Sequence, residues 1–298
     1  MKVIGLGQCS LDYVALVDDF PTEDTKEEVL DFTVQGGGPV ATALVTLARL
    51  GVRTAMLGRV SDDLAGQEIR RGLKNEGVDV RGLVEKPDGA SQQACIMVNG
   101  KTGSRTICWQ RPTVPPLLAR DVEASHFKGA GFLMLDGLMM EASKRAASIA
   151  AKRNIPVMLD AGSMRPGMLK LASGCDYVVC AERFVSDLKL SIKDAFKKLA
   201  VGRTRAVTVT FGDKGSFTYN EGKVFLQKAF KVKTIDTTGA GDVFHGAYTY
   251  GVLQGWDLKR TVEFASAAAA MKCRALGGRA GIPGLAEVQR FLKEQKGA

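Results

Sequence analysis

The chain has 298 residues, 45% hydrophobic, 24% charged and 7% aromatic, with a mean hydropathy of −0.01; this average composition excludes disordered, collagen-like and disulfide-scaffold classes. The net charge of +9 attracts anions, but the basic residues are dispersed, without a dense run or an aromatic platform, so small phosphorylated or anionic ligands are expected and nucleic acid is not. No apolar run approaches the roughly 20 residues that cross a bilayer, Gln8 and Asp12 interrupt the apolar start, and the six cysteines form no C-x-x-C pair: a cytoplasmic protein with no membrane partner and no zinc or dithiol centre is expected.

Along the chain, short β-branched runs alternate with amphipathic segments. Residues 3–6 read as a buried strand, and residues 11–34 hold strand-like runs with no helix. A helix over 41–50, with Leu44, Leu47 and Leu50 at helical spacing, stops at Gly51 and leads into a strand over 52–60. A second helix over 64–75 stops at Gly77, before a strand over 78–84. Residues 91–111 read as a hairpin, with arms 93–98 and 104–110 around a turn at 99–103. A strand over 132–135, a helix over 141–153 and a strand over 157–159 follow. Further strands lie at 177–179 and 206–210 and shortly after Gly222. A loop at 231–236 precedes helices near 243–253 and 258–274. This alternation predicts a single α/β domain over 1–298 around a mostly parallel sheet. The helix-free stretches, 11–34 and 91–111, leave the sheet near its start. They read either as a β lid that excludes water from a site beneath it or as an ordinary edge hairpin.

The chemistry concentrates in Asp236-Thr237-Thr238-Gly239-Ala240-Gly241-Asp242-Val243-Phe244, at the opening of an apolar helix. Three consecutive small residues let main-chain N–H groups close on a ligand, and with the helix N-terminus they suit phosphate oxygens. Asp242 stands where a carboxylate can take a proton from a hydroxyl poised over that nest. A base for the nucleophile and donors for the transferred charge are what hydroxyl-to-phosphoryl transfer requires; a plain helix cap is the alternative. Gly36-Gly37-Gly38-Pro39 before the first helix also permits close backbone approach, or marks a turn with Pro39 at the first helical position. Gly5-Leu6-Gly7 lacks the third glycine and the helix of a dinucleotide fingerprint, and there is no P-loop. Of the two histidines, His126 and His245, the second lies one turn after Asp242, either touching the site or packing the helix.

Residues 36–51, Gly58-Arg59-Val60-Ser61-Asp62-Asp63-Leu64-Ala65-Gly66 and residues 236–244 resemble, in order and spacing, segments of the PfkB (ribokinase-like) carbohydrate kinase family. Thr210-Phe211-Gly212-Asp213-Lys214-Gly215 and Gly277-Gly278-Arg279-Ala280-Gly281-Ile282-Pro283 resemble it too. The similarity spans nearly the whole chain and looks nearest to the sugar kinases that include ketohexokinase and sulfofructose kinase. It implies a three-layer α/β/α sandwich with a β lid, and transfer of phosphate from ATP, with Mg²⁺, to a sugar hydroxyl. It also implies Asp242 as catalytic base and Gly239, Ala240 and Gly241 as anion hole. Nucleotide contacts fall on Thr210, Gly212 and Gly215, with Ala270, Cys273 and Gly278 around adenine. Sugar contacts fall on Ser10, Asp12, Gly37, Gly38 and Thr42. Asp236 and Thr238 resemble the pair that helps hold a monovalent cation, K⁺, in some members. Thr42 stands where many members have Asn, and around Cys180-Ala181-Glu182-Arg183-Phe184 the Asn of an Asn-x-x-Glu motif for Mg²⁺ is missing, leaving Glu182. Arg105 faces either a substrate anion or solvent. Two alternatives stay open at this point: a nucleoside kinase of the adenosine type, for which lid residue Trp109 offers stacking, and a non-catalytic nucleotide- or sugar-binding member of the fold. Exposed lid edges are expected to pair in a homodimer.

Overall fold

The structure is a computed structural model that describes residues 1–297. From the N-terminus, β1 (Lys2–Leu6) enters the main sheet, and β2 (Ser10–Val17) and β3 (Asp31–Gly37) leave it for the lid. Helix α1 (Pro39–Arg49) begins two residues earlier than the periodicity indicates, because Pro39 needs no N–H at a first helical position and Gly38 takes a positive φ of 95° before it. Then come β4 (Arg53–Ser61), α2 (Leu64–Asn75) and β5 (Val78–Lys86). Asp63 caps α2 by accepting Gly66 N–H at 2.8 Å, and the same carboxylate takes the Ser91 hydroxyl and N–H, fastening the chain where it re-enters the lid. The lid is completed by β6 (Gln93–Asn99) and β7 (Arg105–Gln110).

The body continues with β8 (Ala130–Leu135), α3 (Met140–Lys152), β9 (Val157–Ala161), α4 (Met168–Ala172), β10 (Tyr177–Ala181), α5 (Glu182–Asp187), α6 (Ile192–Leu199) and β11 (Ala206–Thr210). It ends with β12 (Ser216–Asn220), β13 (Lys223–Gln227), α7 (Ala240–Leu253), α8 (Leu258–Lys272) and α9 (Leu285–Gly297). The main sheet runs β13-β12-β11-β10-β9-β8-β1-β4-β5, and only β12 runs against the other strands. One core joins its first face to α1, α2, α7, α8 and α9 through Leu44, Ile69, Val243, Ala265 and Phe291; the other joins its second face to α3–α6 through Ala146, Leu171, Phe184 and Phe196. The result is the expected three-layer α/β/α sandwich. The sheet ends that point to one side carry the loops of the site, as parallel crossovers dictate.

The two helix-free stretches do pair: the lid sheet runs β3-β2-β6-β7, with β2 and β6 parallel from Leu11↔Gln93 to Val17↔Asn99. Alternation gives it two faces. Val14, Ala94, Ile96 and Val98 pack toward Leu276 and Ile235 of the body. By register, Asp12, Arg105, Ile107 and Trp109 share that side. Phe32, Val34, Cys95 and Cys108 lie on the opposite, exposed side. Among the described residues no helix is long and apolar enough to cross a membrane.

Candidate active site

Beneath β7 a cleft of about 650 Å³ opens between the end of β11, the N-terminal end of α7 and the C-terminal half of α8. It brings together eight residues singled out from the sequence: Arg105 on the lid, Thr210, Gly212 and Gly215 on one wall, Ala240 and Gly241 at its end, and Ala270 and Cys273 on the other wall. The small side chains of Ser266, Ala269 and Ala270 on α8 leave the space, and Phe230 and Val232 supply an apolar wall that periodicity did not reveal. Gly278 does not line this cleft. It packs behind Gly239, whose Cβ position is 2.8 Å from Gly278 O.

Gly239 caps α7 with a φ of 74°, which turns the chain so that the first N–H groups of the helix face outward. Asp242 follows in the first turn, half-buried. Burial pushes its carboxyl up to about 7, Asp160 and Asp12 push the same way, and His245 and Arg105 pull it down. Arg105 reaches across from the lid to donate to Thr237 Oγ1 at 2.7 Å.

Ser10 and Asp12 sit at the start of β2, buried, with the Ser10 hydroxyl donating to Asp12 Oδ1 at 2.7 Å. Burial raises the Asp12 pKa, against the pull of Ser10 and Arg279. Gly37 is the residue that makes room, since a Cβ there would run into the Asp12 carboxylate. Gly38 and Thr42 flank the same corner at the head of α1, joined by Thr42 N–H to Gly38 O at 2.9 Å. None of these five residues lines the cleft itself; the Asp12 carboxylate acts on it through its charge, adding to the rise of the Asp242 pKa.

Three charged residues join this site that the sequence did not single out. Arg279, 4% exposed, donates to Gly37 O at 3.1 Å and lies in the field of Asp12; burial lowers its pKa to about 10. Asp160, at the end of β9, stands 3.2 Å from His245 Nδ1. Neither Asp160 Oδ2 nor that nitrogen has another hydrogen-bond partner, so the contact requires a proton on one of them. Burial raises the pKa of Asp160 and lowers that of His245. His245 is therefore a neighbour of the site and not only a packing residue. Lys272, at the end of α8, is fully buried and donates to Asp236 O at 2.9 Å.

Two places offer metal-capable groups. Glu182 begins α5 and is exposed. The cluster with ligand spacing among the described residues is Asp160, Asp242 and His245, whose ligand atoms lie within 4.8 Å of one another.

The chain is similar to known proteins along nearly its whole length. The model of the pfkB family carbohydrate kinases matches residues 2–284. Ribokinase of Schizosaccharomyces pombe is 30% identical over 99% of this chain and 99% of its own length. 5-dehydro-2-deoxygluconokinase of Clostridium tetani is 25% identical over 99% and 94%. Arabidopsis thaliana ribokinase, solved with ribose and ATP, superposes with a TM-score of 0.83 at 23% identity over 98% of each chain. The family match and the named kinase relatives make this chain a sugar phosphotransferase. The chain belongs to the pfkB family of carbohydrate kinases.

Proposed function

We propose that this protein transfers the γ-phosphate of ATP to a hydroxyl of a small sugar, with Asp242 as the base and the N–H groups of Gly239, Ala240 and Gly241 as the anion hole. The observation that carries this reading is the position of Asp242: a carboxylate with its pKa raised to about 7, in the first turn of the helix those glycines open, within the field of Asp12. A base whose pKa lies near working pH combines availability with proton affinity. The N–H groups need no reorganisation as charge develops on the transferred group.

The cleft of Thr210, Gly212, Gly215, Ala270 and Cys273 would take the nucleotide. Asp12 and Ser10 would hold sugar hydroxyls, a carboxylate accepting two at once, with Gly37, Gly38 and Thr42 shaping the pocket. Arg105, beside Thr237, would steady the phosphoryl group from above. Mg²⁺ would neutralise phosphate charge, keeping several waters and few carboxylates. Glu182, an exposed hard donor at the start of α5 that does not line the cleft, would have to reach the ion through water, whereas the Asp160–Asp242–His245 cluster contains a nitrogen ligand and an engaged carboxylate. The apolar outer face of the lid, with Phe32 55% and Val34 46% exposed, would pair with its copy in a homodimer. Light scattering should give twice the chain mass, and Phe32→Glu should give the single chain; a single-chain mass for the unaltered protein contradicts pairing.

One coupled assay of ADP release with ribose, fructose, 5-dehydro-2-deoxygluconate, 2-keto-3-deoxygluconate and adenosine tests the reading. Turnover with a sugar supports it. Turnover with adenosine alone favours the nucleoside alternative, for which Trp109 on the pocket side of the lid would stack the base. Binding of ATP and sugar without turnover for any acceptor contradicts catalysis.

A further inference from the structure

We propose that the ammonium group of Lys272 takes the place of the monovalent cation that the sequence resemblance implies at Asp236 and Thr238, so that the enzyme works without K⁺. The inference rests on the kinase reading for its catalytic meaning, but its structural basis is independent of the substrate.

A cation at this point would need several oxygens at once, because it gives up its hydration on entering a buried site. The oxygens of Asp236 are already engaged. Its residue is fully buried, Oδ1 accepts Thr238 N–H at 2.7 Å and Oδ2 accepts Gly277 N–H at 2.7 Å. Its main-chain oxygen accepts Lys272 Nζ at 2.9 Å. The neighbouring main chain is closed as well, with Ile235 and Asp236 N–H both donating to Cys273 O, at 2.8 and 3.2 Å. Of the expected pair only Thr238 Oγ1 is left without a partner, and one hydroxyl oxygen cannot replace a hydration shell.

Lys272 has the opposite character. Its side chain is 0% exposed, and its amino group is fixed by donation to Asp236 O at 2.9 Å. Burial lowers its pKa, against the opposing pull of Asp236, Cys273 and Asp242. The ammonium thus sits behind the loop that carries the anion hole, within the field of the proposed base, tethered by its own helix. A fixed positive charge there offsets charge on the transferred phosphoryl group and holds the loop 236–239 in place, as a bound ion would, without depending on the ion's concentration.

The test compares K⁺, Na⁺ and tetramethylammonium at equal ionic strength. For the unaltered enzyme, kcat and kcat/KM should agree within about twofold in all three salts, and the melting temperature of the unliganded protein should not depend on which cation is present. A K⁺-specific activation of about tenfold or more, or a K⁺-specific rise in melting temperature, overturns the proposal. Lys272→Ala should lose activity in tetramethylammonium and regain part of it in K⁺, which enters the vacated space; full activity of that variant in tetramethylammonium also overturns it. If the variant does not fold, the unaltered enzyme decides the matter alone. If no acceptor turns over, the kinase reading fails, while the melting comparison still decides whether the lysine has replaced the ion.

Discussion

Two glycines separated by one residue should respond in opposite ways to the same added methyl group. Gly239 has a φ of 74°, and a Cβ there would lie 2.8 Å from Gly278 O and 3.0 Å from Gly278 Cα. That backbone cannot swing aside, because Gly277 N–H is held by Asp236. The left-handed conformation alone costs an alanine roughly 1–2 kcal/mol, and displacing the facing backbone brings the expected loss for Gly239→Ala to about 2–4 kcal/mol. Gly241 has no positive φ, and nothing lies within 4 Å of its Cβ position. Gly241→Ala should therefore leave stability unchanged or raise it by up to about 1 kcal/mol, since alanine is the better helix former. Yet Gly241 lines the cleft, and a methyl group there stands where the phosphoryl group must pass, so kcat/KM should fall about tenfold or more. Denaturant unfolding and steady-state kinetics on both variants read the two effects separately. Full activity in Gly241→Ala would refute the placement of the phosphoryl group, and unchanged stability in Gly239→Ala would refute the steric argument.

The activity should rise with pH through about 7, because the Asp242 carboxyl, raised by burial, must lose its proton before it can act as base. That limb should move to lower pH in Asp160→Asn, which removes a group that raises the Asp242 pKa, and to higher pH in His245→Gln, which removes one that lowers it; a limb that stays in place in both variants would disconnect the cluster from the base. Asp12→Asn should raise KM for the sugar by about tenfold with a smaller change in kcat, the pattern of lost ground-state binding, whereas an unchanged KM would remove Asp12 from the sugar pocket.

Much of this architecture was readable from the chain because its signals are local. Helix α2 is bounded by a capping Asp63 and by Gly77, and its limits match the spacing of its apolar residues. By contrast α4 and α5, with 5 and 6 residues, are too short for a period of 3.6 to express itself, and β12 follows Gly215 too closely to be separated from its turn. The same division holds in the site. Asp242 and the glycines before it are contiguous, so the string alone points to them. Asp160, Lys272 and Arg279 come from a strand end, a helix end and a late loop, and only the order of the sheet and the seating of the lid bring them to the pocket. Charged residues at such places look like ordinary surface residues until their burial is known.

The central claim is that one acid, stationed beside main-chain donors, deprotonates the acceptor. Asp242→Asn keeps the shape of that residue and removes its basicity. The variant should melt like the unaltered protein, bind ATP with unchanged affinity, and lose at least about a hundredfold in kcat. Turnover close to that of the unaltered enzyme would contradict the account.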